Sequence, residues 1–421
     1  MKAEIAERIR LINKGQVPEG YKKNEIGIIP IDWNLKLLDE IAHKISVGLA
    51  VSVSEYFREQ GKLLIRNQNI KDGHFDSSDL VYIDEKFDEK NKNKRVLKGD
   101  ILLTRTGSKI GAVCVVPDKY SGAQTFTTLI VRPLEVLDSN YFVYNALSIG
   151  TTEIERLSSG EGKPNLNSGN LKEYRISLPP LPEQQKIVSI LSTWNKAVKL
   201  KEKLISEKKK QKIALMQELL TGKKRLYGFN ENVKQLKLKG HIKEISIKNR
   251  DNQVSRILSV TNSRGFVEQS EQFDRQIASS NLTTYKIVRR NQFGYNPSRI
   301  NVGSVDVLTN YNEGLLSPIY VIFETVKESL TSDYMFQFIK SPNFNNQMKA
   351  LLQGSVRDNL SFYALSEMKL FIPSIPEQTA IANILCLADK EISLLEKELQ
   401  ALKEQKKGLM QLLLTGIVRV N

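Results

Sequence analysis

The chain has 421 residues, with 62 Lys and Arg against 47 Asp and Glu, a formal charge of +15 at neutral pH and an isoelectric point near 9.4. That length suffices for two or three domains with cores of their own, and the positive excess points to a polyanionic partner, nucleic acid ahead of an anionic membrane surface. No apolar run of about 18 residues and no secretory leader is visible, which argues against a spanning or exported protein and leads us to expect a soluble, cytoplasmic one.

Residues 1–14 are expected to form a short amphipathic helix. Residues 15–178 follow as a mixed α/β domain. Its β-rich runs at 63–65, 101–103, 112–116 and 127–131 are separated by glycines and polar turn residues, and 141–150 is patterned as a short helix. A long helix occupies 179–222 and a linker 223–227. Residues 228–372 have the same mixed α/β character, with runs at 257–260, 305–308 and 319–323 and a short helix at 332–340, the place equivalent to 141–150. A second long helix covers 373–416, and 417–421 is a tail. Cys114 and Cys386 lie in apolar surroundings and are expected to be buried thiols. The histidines, His43, His74 and His241, never reach metal-ligand spacing, so no metal is expected.

An internal repeat organises these elements. Sliding the sequence over itself by 194 residues aligns two long segments without a gap. Leu181-Pro182-Glu183-Gln184 falls on Ile375-Pro376-Glu377-Gln378, and Leu219-Leu220-Thr221-Gly222 falls on Leu413-Leu414-Thr415-Gly416. Upstream, the same register pairs Gly160 with Gly354, Lys163 with Arg357, Asn165-Leu166 with Asn359-Leu360, and Leu171 with Leu365. The duplicated unit is a domain plus its trailing helix. Each helix opens with proline and glutamate, suited to a first turn that needs no donor and favours negative charge, and stops at Thr-Gly.

The second helix steps alternately by four and three through Ile381, Leu385, Ala388, Ile392, Leu395, Leu399, Leu402, Lys406, Leu409 and Leu413, the spacing of a coiled-coil seam. The first keeps that register in Ile187, Leu191, Trp194, Val198, Lys201, Ile205, Lys208, Lys212, Leu215 and Leu219. Its lysines interrupt the seam, their stems packing while the ammonium groups snorkel outward. One such stripe alone describes a surface helix lying on its own domain. Two matched helices of roughly 40 residues, about 60 Å at 1.5 Å per residue, are too long for that, and we expect an antiparallel coiled coil with pseudo-two-fold symmetry. A third feature is charge: 11 basic and 3 acidic residues over 196–225, against 6 and 4 over 390–419, ordinarily a solvated face but here a source of long-range attraction for DNA.

Polar, basic, glycine-containing segments lie between the strands. In the first domain these are Arg66-Asn67-Gln68-Asn69 and Thr104-Arg105-Thr106-Gly107-Ser108-Lys109, and in the second Asn296-Pro297-Ser298-Arg299-Ile300-Asn301, with Arg264 nearby. Arg makes bidentate contacts with guanine and Asn with adenine, while hydroxyls hold phosphates, so these are candidate DNA contacts, as are Lys163 with Asn165 and Arg357 with Asn359. Any one of them is equally at home as a solvated loop or a turn into a final strand. The equivalent placement of the segments in the two domains is what favours the DNA reading.

Enzyme signatures are missing: no Walker-type loop, no Gly-x-Ser-x-Gly elbow, no His-Glu-x-x-His helix, and Asn296-Pro297-Ser298-Arg299 lacks the second proline and the aromatic of a methyltransferase motif. Asp118 with Glu161 and Lys163 loosely echoes a metal-dependent nuclease, but the second copy has Ser355-Val356-Arg357 where a carboxylate is needed. A coiled-coil scaffold without base readout is the other alternative.

With its twin Pro-Glu-Gln helix starts, twin Leu-Leu-Thr-Gly ends, the Gly-x-x-Lys/Arg-x-Asn-Leu lead-in to each, and the entry from Tyr21-Lys22-Lys23 to Pro30-Ile31-Asp32-Trp33, the chain resembles the specificity subunit of type I restriction-modification enzymes over nearly its whole length. The resemblance implies a non-catalytic subunit whose two target-recognition domains each bind half of a split, asymmetric DNA target. It also implies that the paired helices act as a ruler and dock two modification (methyltransferase) subunits. S-adenosylmethionine would then sit on those partners, and ATP and Mg on restriction/translocase subunits, with no cofactor on this chain. Helices of that length place half-site centres roughly 10 to 14 base pairs apart. A loose likeness between residues 9–21 and 219–229 leads us to expect the N-terminal helix near the end of the second long helix.

Overall fold

The computed structural model describes residues 2–158, 164–231, 233–272, 281–352 and 359–420. It divides into two units, Met1–Leu200 with Leu399–Asn421, and Lys201–Glu398, and the same plan recurs inside each.

In the first unit, helix α1 (Lys2–Asn13) precedes a four-stranded antiparallel sheet of β1 (Ala42–Val47), β4 (Ile101–Thr104), β5 (Val113–Val115) and β6 (Thr128–Pro133), in the order β5-β4-β6-β1. A two-residue-strand hairpin, β2 (Ile70–Lys71) and β3 (His74–Phe75), lies against β5. The unbroken apolar run in β4 reflects burial on both faces. Ile101, Leu103, Leu129 and Val131 point to a core with Trp33, Tyr141 and Phe142, while Leu102, Cys114 and Ile130 point to a second core with Ile65 and Val96. Helix α2 (Ser139–Ala146) covers the first face, its N-cap Asp138 accepting hydrogen bonds from the Asn140 and Tyr141 amides. The long helix α3 (Leu181–Leu219) leaves the domain after Pro180, whose carbonyl accepts the first helical bonds, so α3 starts inside the expected 179–222.

The second unit repeats the sheet with β7 (Ile242–Ile245), β10 (Phe293–Tyr295), β11 (Val305–Val307) and β12 (Val321–Thr325) in the order β7-β12-β10-β11. Its hairpin, β8 (Leu258–Thr261) and β9 (Gly265–Glu268), lies against β11 as the first domain's hairpin lies against β5. Helix α4 (Ser332–Ile339) is capped by Thr331, and the long helix α5 (Ile375–Leu414) follows the domain. Both long helices end as their Thr-Gly signals require, with Gly222 at φ +73° and Gly416 at φ +69°, a left-handed turn that glycine adopts without a Cβ penalty.

The long helices pack antiparallel. In the second unit, Lys201 meets Glu398 at 2.8 Å, Lys208 meets Glu391 at 2.7 Å and Lys212 meets Asp389 at 2.5 Å, the acidic number falling as the lysine number rises. The seam lysines therefore reach carboxylates of the facing helix rather than only water. Every residue of the two expected seams is buried or half-buried. Each domain core also takes in both helices: Ile187 and Leu191 with Met410 and Leu413 in the first unit, Met216 and Leu219 with Ile381 and Leu385 in the second. The start of the chain is tied to the end of α5, since Tyr21 donates to the Gly416 carbonyl at 2.7 Å and Arg8 to that of Ile417.

One expectation is corrected. Cys114 is buried, and burial pushes its thiol up to about 12, but Cys386 is exposed. It follows the seam residue Leu385 by one position, which on a helix turns it off the seam despite its apolar neighbours. Among the described residues no helix is long and apolar enough to cross a membrane.

Candidate nucleic-acid interface

The loop joining β4 to β5 and the loop joining β10 to β11 occupy the same place in the two domains. Each is pinned from beneath by the lead-in to a long helix. The Leu166 amide donates to the Arg105 carbonyl at 2.9 Å, and the Leu360 amide, 194 residues further on, donates to the Pro297 carbonyl at 3.2 Å. Tyr295, buried, adds a bond to the Leu360 carbonyl at 3.2 Å. In the first domain this brings three candidates together: Thr106 bridges Asn165 through the backbone, and the Asn165 side chain lies 3.4 Å from the Arg105 guanidinium. Thr106, Ser108 and Lys109 are exposed.

In the second domain Asn296 is half-buried and turns the chain by accepting from the Ser298 amide at 3.1 Å, leaving Ser298, Arg299 and Asn301 exposed. Asn359 is exposed and precedes Leu360, whose amide holds that loop. Arg264 stands apart, at the tip of the β8–β9 hairpin, 3.6 Å from Glu271. Lys163 and Arg357 lie outside the described residues, as does Glu161 of the nuclease-like set, while Asp118 is exposed and nearest to Lys98 at 3.6 Å.

One candidate faces the interior, and three others have partners within the protein. Thr104 is buried, its hydroxyl donating to the Ala112 carbonyl at 3.0 Å, so it fastens the base of the loop and cannot meet DNA. Arg66 pairs with Asp79 at 2.8 Å, Gln68 donates to the same carboxylate, and Asn67 accepts from Thr128 at 3.1 Å. That segment braces the first domain through partners distant in sequence.

The Pro-Glu-Gln motif does more than start a helix. Gln184 accepts from the Asp138 amide at 2.9 Å and donates to the carbonyls of Val136 and Pro179, and Gln378 does the same with Thr331, Ser329 and Pro373. Each glutamine thereby joins a domain helix cap to a long helix. The neighbouring glutamates hold residues that the sequence reading passed over. Glu183 receives Arg419 at 2.8 and 2.9 Å and Trp33 at 3.0 Å, and Glu377 receives Arg225 at 2.8 and 2.6 Å. The hydrogen bonds to these carboxylates hold both guanidiniums further above their ordinary range. Arg225 and Arg419 are themselves 194 residues apart, the signal that identifies them.

Two like domains, each presenting a polar loop and each joined to a long helix by the same Glu-Gln pair, define a duplicated recognition chain. A family model described as the type I restriction modification DNA specificity domain matches it twice, over residues 30–210 and 229–404. The chain belongs to that family and is a specificity subunit of the type I restriction-modification class. It is similar to the putative type I restriction enzyme MjaX specificity subunit of Methanocaldococcus jannaschii, 26% identical over 430 residues covering 96% of this chain and 97% of the relative. The EcoKI specificity subunit of Escherichia coli strain K12 is 21% identical over 395 residues, covering 88% and 82%. The fold is shared with the S subunit of the type I system of M. genitalium, TM-score 0.55 at 16% identity over 91% of this chain and 96% of that one. It is shared too with a chain from a structure of type I system assembly and conformational transition, TM-score 0.58 at 14% identity over 93% and 99%.

Proposed function

We propose that each recognition domain reads one half of a bipartite, asymmetric DNA target and that the helix pair sets the spacer and docks two methyltransferase subunits. The observation that carries this is one position filled two ways: the pinned loop of the first domain presents Arg105, Thr106, Ser108 and Lys109, that of the second Asn296, Ser298, Arg299 and Asn301. Equal placement gives two readers, and unequal donors and acceptors give two different half-sites. Loop cations such as Lys109 and Arg299 supply the salt-dependent attraction to phosphates, and the amides and hydroxyls the discrimination.

The chain itself takes no part in bond-making on this reading. S-adenosylmethionine belongs to the methyltransferase partners, and ATP and Mg to restriction and translocation subunits, all acting on cytoplasmic DNA. The test is to purify the full chain with its co-encoded methyltransferase and map methylated adenines. A single split motif is expected, and exchanging residues 228–372 for another domain should change one half of it only. A motif unaffected by that exchange refutes two independent readers, and binding that responds to salt but not to sequence would instead make the chain a scaffold. Removing matched turns from both long helices should shorten the spacer.

A further inference from the structure

Each pinned loop has a neighbour that the loop-based reading leaves out. In the second domain, the tip of the β8–β9 hairpin, Asn262-Ser263-Arg264, is exposed, and Asn262 lines one cleft of about 320 Å³ with Asn296 and Arg299 of the loop. The contact is close by construction: a side chain at Gly303, which closes the loop at φ +90°, would collide with the Asn262 amide. The tip is held in shape from within, the Thr261 hydroxyl accepting from the Arg264 amide at 3.1 Å and donating to the Gly265 carbonyl at 3.2 Å. In the first domain, the tip of the β2–β3 hairpin, Asp72-Gly73, is anchored by the Gly73 amide to the Val113 carbonyl at 2.9 Å. Asp72 lines a cleft of about 380 Å³ with Ser108 and Lys109 of that domain's loop, and His74 is exposed beside it.

From this recurring juxtaposition we infer that each hairpin tip is a second base-reading element, working with the pinned loop of its own domain. The inference rests on the proposal that the domains are DNA readers and names which further residues decide the half-sites. The chemistry of the tips suits the role and differs between them. Asn262 matches the adenine edge and Arg264 the guanine edge, whereas Asp72 accepts from the cytosine amino group and His74 offers a ring nitrogen as donor or acceptor. Among the described residues the Arg264 guanidinium pairs with Glu271 at 3.6 Å, with both side chains about half exposed. A tip held in shape by its own hydrogen bonds and carrying exposed polar side chains presents them to a groove without reorganising its backbone.

The experiment uses the full chain in complex with its co-encoded methyltransferase on duplexes randomised across both half-sites, with methylated products sequenced. Arg264→Ala and Asn262→Ala are each expected to relax one position of one half-site by about tenfold or more, leaving the other half unchanged. His74→Ala is expected to relax the other half. Arg264→Lys keeps the charge but not the two-pronged donor geometry, and should relax the same position even if the alanine variants assemble poorly. Uniformly weaker methylation with every base preference intact would make the tips phosphate contacts and overturn the inference, as would an unaltered motif in all four variants. A wild-type complex without any base preference would overturn the two-reader proposal itself, and the tips with it.

Discussion

Removing Arg419 tests whether the tail of the chain locks the first unit. Glu183 is almost fully buried, its side chain 6% exposed, and it accepts from Arg419 through two guanidinium nitrogens and from Trp33. The Arg419→Ala variant would leave that carboxylate buried with the indole as its one strong donor. Breaking a buried pair on one side costs about 3–5 kcal/mol, which for a unit of this size lowers the unfolding midpoint by roughly 6 to 20 °C. Calorimetry of the full chain measures the loss, and hydrogen exchange locates it: protection should fall around residues 21–38 and 181–191 and hold in the second unit. The double variant Glu183→Gln with Arg419→Met removes both charges while keeping an acceptor for Trp33, and should recover most of the loss. The exposed pair Arg10–Glu7 is the control, since solvent screening leaves such a surface pair with little effect on stability. If Arg419→Ala costs no more than Arg10→Ala, the lock is not a buried ion pair in solution and the reasoning fails.

Three further outcomes follow from the geometry. Asp389→Ala strands the Lys212 ammonium, whose side chain is 14% exposed, whereas Lys212→Leu leaves a carboxylate that water can reach; in urea titrations the first should destabilise more, and the second should be close to neutral. Gln378→Ala takes an acceptor from the Thr331 amide and a donor from two carbonyls, so it should lower stability by about 2–4 kcal/mol, read as a fall in the urea midpoint, against a few tenths for the exposed Thr379→Ala. Burial would raise the Glu153 carboxyl, but hydrogen bonds from Arg156 and Arg175 outweigh it and carry the group down to about 2. A depressed folded value means its contribution is present above the unfolded value near 4.5 and is lost as pH falls towards 2, so the difference in stability between wild type and Glu153→Gln should shrink across that window; a constant difference would contradict the assignment.

The parts of the fold that were legible in the sequence are those in which one physical cause acts locally. Ile101, Leu102 and Leu103 announce a strand because both faces are buried, and the seams announce themselves because every fourth and third residue meets the facing helix. The pinned loops were legible from their composition taken together with their equivalent placement in the two domains, which one loop alone would not have given. What stayed hidden depends on partners far along the chain. Composition does not show that Arg66 and Gln68 share Asp79 as a partner, nor that Thr104 sits one residue inside the strand whose loop it was assigned to. Of the β8–β9 hairpin tip only Arg264 stood out, because Asn262-Ser263 reads as ordinary turn chemistry until Gly303 brings Asn262 to the loop.

What recurs between the two units and what differs separate cleanly. The recurring side chains join domain to helix: Tyr141 and Tyr334 each donate to a carbonyl of the strand leading to a long helix, Gln184 and Gln378 each tie a helix cap, and Glu183 and Glu377 each take an arginine from beyond a helix end. The differing side chains are at the loops and hairpin tips, where the first unit has Asp72, Thr106 and Lys109 and the second Asn262, Ser298 and Arg299. An interior that demands particular hydrogen bonds restricts change at one set of positions, while exposed tips tolerate it at the other. A foreign domain grafted between residues 228 and 372 therefore has few conditions to meet. It must supply a tyrosine able to reach the strand before α5, a backbone amide and carbonyls for Gln378, and an aromatic face for Arg225, which here packs 5.3 Å over Phe371. A graft meeting these should assemble with an altered half-site, and one with alanine for that tyrosine should lose stability before it loses specificity. A stable alanine graft with a scrambled motif would show that the junction, and not the exposed tips, sets which bases are read.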